Sequence, residues 1–192
     1  MMTSGEQQYV PGDAFGAEIQ KDGENWTLIL VRELRHRPEM VWTALTDPEE
    51  LREWAPFDAD RPLDTVGIAT LTTVGAPTPQ VSETRVTRAD APRVLELNWG
   101  GQDVRWELEP LADGGTRLTL WHNVDRRFIS MAAAGWHICL DVLDRARSGQ
   151  PVGRIVGMDA LKFGGWQRLN AEYAKQFGVE PPQWPPDAPS EA

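Results

Sequence analysis

Beside its 29 carboxylates, this 192-residue sequence offers three histidines, one cysteine and its serine and threonine hydroxyls as side chains that could move protons, hold a metal or attack an electrophile. His122 stands out among them, because it interrupts a face otherwise made of Leu118, Leu120 and Val124. An imidazole there offers one donor and one acceptor to a ligand, or serves as a general base with Arg32 or Glu83 as the least implausible partner. A lone histidine on an apolar face is more often a satisfied structural group, and the two readings compete. His137 and Asp141 stand four apart and read as a solvated helix face with a modest ion pair, while His36, in the approach to Pro38, carries no signal. Histidines so scattered, with no carboxylate at ligand spacing, lead to the expectation of no metal and no cofactor. Cys139 falls on an apolar helical stripe, where a thiol is inert packing, and no GxSxG elbow is present. Ser82 and Thr84 alternate with Val81, Glu83 and Arg85, so this polar pair faces either a cavity or an exposed edge. Gly114-Gly115 and Gly164-Gly165 lack the lysine of a phosphate-binding loop.

The aromatic residues suggest a different chemistry. Nine are tryptophan, against two tyrosines and five phenylalanines. Core packing is the commoner fate of Trp42, Trp99, Trp106 and Trp136 taken singly. Trp99, Trp106 and Trp136 are also the better candidates for a ligand wall, where rigid rings give contact area and the indole N–H one directed hydrogen bond. Trp26 and Trp121 fall on alternate faces, and Trp184 lies in a proline-rich tail.

The elements that must position these residues follow from periodicity. FGAEIQ, the turn KDGE and NWTLILVREL read as a hairpin, with Leu28, Leu30, Arg32 and Leu34 on one face. Pro38 starts a short helix, and Asp47-Pro48-Glu49-Glu50 is a capping signal for a second that ends at Trp54. From Arg61 to Val124 the period is two, punctuated by Gly67, Gly75-Ala76-Pro77, Ala91-Pro92, Gly100-Gly101 and Gly114-Gly115, which predicts an antiparallel meander. Its cover is a long helix after Ser130 with Trp136, Cys139, Leu140 and Leu143 at helical spacing, ended by Gly149. A last helix is expected over about Asp159 to Phe177.

Length and composition fit one globular domain, expected over 16–178, between a flexible tail at 1–15 and a proline-rich tail at 179–192. Nineteen basic against twenty-nine acidic residues give a net charge of −10, which argues against nucleic-acid partners and anionic membranes. No apolar run approaches the roughly 20 residues of a membrane span and no leader is evident, so membrane insertion is not expected and a cytoplasmic location is.

The order of elements, with VWTALTDPEELREW between the first long strand and the meander, Arg32-x-Leu34 ahead of it and Gly135-Trp136 read as opening the long helix, resembles the START-like (SRPBCC) superfamily. More narrowly it resembles the bacterial single-domain form of the family named after the activator of Hsp90 ATPase. The resemblance implies an α+β helix-grip fold (START-like, Bet v 1-like), in which a curved antiparallel sheet wraps a long C-terminal helix around a cavity. It implies a cavity mouth near Trp54 and Phe57. With these, the expected ligand-binding set is Trp54, Phe57, Thr84, Trp99, Trp106, His122, Trp136 and Leu140, and no catalytic residue is assigned. The leading function is binding or sequestration of a small hydrophobic molecule, of lipid, sterol or polyketide type. The alternatives are a cyclase or hydrolase acting on a polyketide-like substrate, and an Hsp90 co-chaperone-like interaction module. A chaperone partner stands behind the small molecule, because the co-chaperone carries an N-terminal domain that these residues lack. Free sheet edges make a homodimer a further expectation.

Overall fold

The computed structural model describes residues 9–182. Strands β1 (Ala17–Asp22) and β2 (Asn25–Leu34) form the first hairpin, turning through Gly23 at φ 61°, a conformation that glycine adopts without a Cβ clash. Helices α1 (Pro38–Thr46) and α2 (Pro48–Trp54) follow directly. Asp47 serves both: its backbone N–H closes α1 on the Thr43 carbonyl, and its carboxylate accepts from the N–H groups of Glu49 and Glu50 at the start of α2. The remaining strands are β3 (Phe57–Ala59), β4 (Gly67–Thr73), β5 (Gln80–Asp90), β6 (Val94–Trp99), β7 (Gln102–Pro110) and β8 (Thr116–Asn123). They join one sheet in the order β1-β2-β8-β7-β6-β5-β4-β3, antiparallel throughout. The three-residue β3 carries too short a pattern to be legible in sequence, and its pairing with β4 defines it.

Alternation sorts the sheet into two faces. Leu28, Leu30, Leu95, Leu97, Val104, Trp106, Leu118 and Leu120 are buried on the concave side. The convex side presents Glu96, Arg105 and Glu107, with the Arg105 guanidinium 5.5 Å from the centre of the Trp121 ring. Helix α3 (Ile129–Arg147) lies in the concavity, preceded by one 3-10 turn at Arg126–Phe128. It begins six residues before Gly135, so that glycine sits inside the helix and not at its opening. The expected helix-grip architecture is the one observed.

Outside α3 lies a further layer. The helix expected over about 159–177 is two, α4 (Gly157–Lys162) and α5 (Gly164–Phe177), broken at Phe163, with Gly178 in the left-handed region ending α5. Helix α5 packs on the back of α3 through Trp166, Leu169 and Tyr173, all buried. This layer corrects the solvated face expected of His137 and Asp141: His137 is 1% exposed. It also corrects the N-terminal tail, since residues 9–15 dock on α5. Tyr9 is buried, stacks on Phe163 with ring centres 5.6 Å apart and donates its phenol hydrogen to Asp141. The Ala14 N–H donates to the Glu172 carboxylate at 2.8 Å, and the Pro11 ring fills the space a Cβ on Gly165 would need. Val179 likewise packs against the core, whereas Trp184 lies outside the described residues. No helix among the described residues is long and apolar enough to cross a membrane.

Candidate ligand-binding cleft

Where the concave face reaches the β6–β7 hairpin, sheet and helix part and leave a cleft of about 640 Å³. The sheet contributes Trp99, Gln102 and His122, and α3 contributes Phe128 (its N-cap), Met131, Gly135, Trp136 and Cys139. The outer wall is the segment Ile155–Leu161 with Trp166 from α5, and Ala76 and Pro77 of the β4–β5 loop complete the rim. No lining residue carries a charged side chain, and Phe128 and Met158 at the mouth are about two-fifths exposed.

His122 is fixed from both sides. The Trp136 indole N–H donates to His122 Nδ1 at 3.0 Å, and His122 Nε2 lies 2.9 Å from Gln102 Oε1. An indole nitrogen only donates, so Nδ1 accepts and the ring proton sits on Nε2, from which it is donated to Gln102. Burial pushes the imidazole down to about 4, so the neutral ring persists through neutral pH. Neither nitrogen is left over for a ligand, which corrects the donor and acceptor expected there. Its partner as a base is missing too: Glu83 is exposed, and Arg32 is engaged elsewhere.

The expected site residues divide into a wall and its backing. Trp99, His122 and Trp136 line the cleft. Trp99 stacks beside His122 at 5.9 Å between ring centres and stands edge-on to Trp136 at 5.7 Å. Trp106 lies behind Trp136 at 5.3 Å, Trp54 behind Trp106 at 6.1 Å, and Phe57 beside Trp99 at 5.3 Å, so Trp54, Phe57 and Trp106 support the wall without reaching the cleft. Two indoles are committed: Trp54 donates to the Ala44 carbonyl and Trp99 to the Thr73 hydroxyl, each at 2.9 Å. The Thr84 hydroxyl donates to the Asn98 carbonyl, and Leu140 packs one position beyond Cys139; neither lines the cleft. Burial pushes the Cys139 thiol up to about 12, which keeps it protonated and unreactive at neutral pH.

Sequence reasoning missed Gln102, Gly135, Met158 and, as a cleft residue, Trp166. Gln102 was within reach, since it continues the Val104-Trp106-Leu108 alternation two residues back and pairs with Trp99. The segment Ile155–Leu161 has no periodic signal because its position depends on the helix break at Phe163.

A second polar cluster lies away from the cleft, on the far side of α3. The Arg32 guanidinium, buried on the concave face, sits 4.1 Å from the Phe15 ring centre and donates to the Phe15 carbonyl and to the Tyr173 hydroxyl. His137 Nδ1 is 2.7 Å from that hydroxyl, and its Nε2 faces Asp141 at 3.4 Å. Burial raises the Tyr173 phenol against the opposing effect of the Arg32 guanidinium. This cluster ties β2, α3, α5 and residues 9–15 together. Among the described residues no three His, Cys, Asp or Glu side chains are grouped to hold a metal.

An antiparallel sheet gripping a helix, with an apolar cleft between them, defines a protein of the START-like class. The chain belongs to the activator of Hsp90 ATPase homolog 1-like family, whose model matches residues 35–147. Similar solved structures include a conserved protein of unknown function from Enterococcus faecalis (16% identity, 88% of this chain and 94% of that one, TM-score 0.64). A Bordetella parapertussis protein (23%, 93% and 97%, 0.58) and CalU16 from Micromonospora echinospora (22%, 83% and 93%, 0.57) share the fold as well. No curated protein matches the sequence at a significant level. The outer wall of the cleft, residues 155–166, lies beyond the span matched by the family.

Proposed function

We propose that this chain binds and holds a small apolar molecule in the cleft between sheet, α3 and the α4–α5 segment. The observation that carries the reading is the cleft itself: about 640 Å³, aromatic on both sides and without a charged lining residue. That volume falls in the range of small-molecule sites, and burying a ligand's apolar area supplies the affinity. Binding is favoured over catalysis because His122 has both nitrogens engaged and Cys139 is held as a thiol, so neither is poised as a base or nucleophile. The ATPase activation in the family's name is not carried over to this chain.

Nile red, a neutral dye that brightens in apolar surroundings, tests this with a blocked variant. Gly135 lines the cleft, and apart from its chain neighbours and its own helix backbone no atom lies within 4 Å of where a Cβ would stand, so Gly135→Leu grows into the cleft. The expected result is saturable binding to the unaltered protein, weakened at least tenfold in Gly135→Leu with helical content retained. Equal binding by both, or by neither, would refute the proposal.

A further inference from the structure

We infer that the cleft selects neutral aromatic molecules bearing a carbonyl-type acceptor, and that the side-chain amide of Gln102 reads that acceptor. This rests on the proposed binding of a ligand in the cleft and goes on to name its chemistry. A chain of hydrogen bonds runs from Trp136 through His122 to Gln102, and its direction is forced at its first member. Trp136 can only donate, so His122 Nδ1 accepts and Nε2–H must donate. The Gln102 atom 2.9 Å away is therefore the carbonyl oxygen, which settles the orientation of an amide whose two ends are otherwise interchangeable. The amide nitrogen then remains with two N–H donors and no hydrogen bond to any described residue. It stays accessible, because the buried, unpartnered side-chain nitrogens among the described residues are Arg32 Nε and Arg145 Nε.

Thus the side-chain nitrogen groups of an otherwise apolar lining that no hydrogen bond to a described residue engages, the Gln102 amide and the Trp166 indole N–H, are both donors. The neighbouring indoles of Trp99 and Trp136 are already spent on Thr73 and His122. A ligand oxygen that accepts from Gln102 gains a hydrogen bond, whereas a hydrocarbon leaves the amide to be desolvated unpaired. A carboxylate meets no cation anywhere in the lining, in a protein of net charge −10, and loses its hydration without compensation. The flat surfaces of Trp99 and His122, stacked with an interplanar angle of 28°, favour an aromatic ligand body. Burial keeps His122 neutral, so the direction of the chain holds at neutral pH.

Three probes on one tricyclic framework separate these contributions by displacement of Nile red at pH 7.5: 9-fluorenone, fluorene and fluorene-9-carboxylate. The expected order is fluorenone about fivefold tighter than fluorene, the increment of one hydrogen bond, with the carboxylate at least tenfold weaker than fluorene. Gln102→Glu keeps an acceptor for His122 and removes the donor, so the ratio of fluorenone to fluorene affinity should fall from about fivefold to about one, whatever the change in the absolute affinities. Equal affinity for fluorene and fluorenone in the unaltered protein overturns the inference, whatever the variant's stability. Tightest binding by the carboxylate, or a preference that survives in Gln102→Glu, overturns it as well. If Nile red binds and none of the probes displaces it, the inference fails while the cleft stands; if Nile red itself does not bind, the underlying proposal fails.

Discussion

Protonating His122 should destabilise the fold, and the structure sets the size of the effect. The folded ring is held at about 4 by burial, against about 6.5 for an unperturbed imidazole. Between these values the unfolded chain binds the proton and the folded chain does not, so the stability from the neutral ring is present above pH 6.5 and lost as pH falls through 4. Integrating that difference gives a loss of about 2 kcal/mol at pH 5 and about 3 kcal/mol at pH 4 relative to pH 7.5. Carboxylates and the other histidines titrate in the same range, so the informative quantity is the difference between the unaltered protein and His122→Gln. At pH 7.5 the variant should be less stable by roughly 1–2 kcal/mol, from two imperfectly replaced hydrogen bonds. By pH 4 that deficit should vanish or reverse, because glutamine has nothing to titrate. Urea unfolding followed by tryptophan fluorescence at each pH measures both. Parallel loss of stability in the two proteins would show that His122 is not held neutral by its burial and partners, and the argument for the Trp136-His122-Gln102 chain would lose its basis.

Deleting residues 1–14 should lower the melting temperature by roughly 5–10 °C, since it removes the burial of Tyr9 at about 1.5–3 kcal/mol and the Ala14 bond to Glu172 at about 1 kcal/mol; calorimetry showing no change would contradict the docking of that segment. Gly135→Ala should raise stability by roughly 0.5–1 kcal/mol, because a glycine inside a helix is replaced where a methyl meets no atom, and a loss in chemical denaturation would contradict the open space there. Truncation at Gly157 should expose the back of α3 and cause aggregation detectable by light scattering, since α5 buries Trp166, Leu169 and Tyr173 there; a stable monomer would contradict that role.

Local signals carried much of this architecture, and non-local ones were where the reading failed. Asp47 announces two helices because capping is a matter of three consecutive residues, and Leu118, Leu120 and His122 announce a strand face because alternation needs no partner to be visible. The α3 stripe from Trp136 to Leu143 identifies a buried helix, but it cannot say whether the opposite side is wet. His137 is buried because α5 returns across it, and Tyr9 because Phe163 breaks a helix 154 positions later, which no local pattern encodes. The candidate site shows the same division. Trp99, His122 and Trp136 share strand and helix faces that periodicity finds, whereas Phe57 and Trp106 lie one ring and Trp54 two rings too deep, a distinction set by side-chain packing. Gln102 and the Ile155–Leu161 wall required the folded chain.

The most direct measurement is the pattern of tryptophan indole and glutamine amide resonances in a nitrogen-proton correlation spectrum during titration with 9-fluorenone. The account predicts shifts at Trp99, Trp136, Trp166 and the Gln102 side-chain amide, with Trp121 on the outer face unmoved. Saturable binding that shifts Trp121, and leaves the cleft resonances in place, would contradict it.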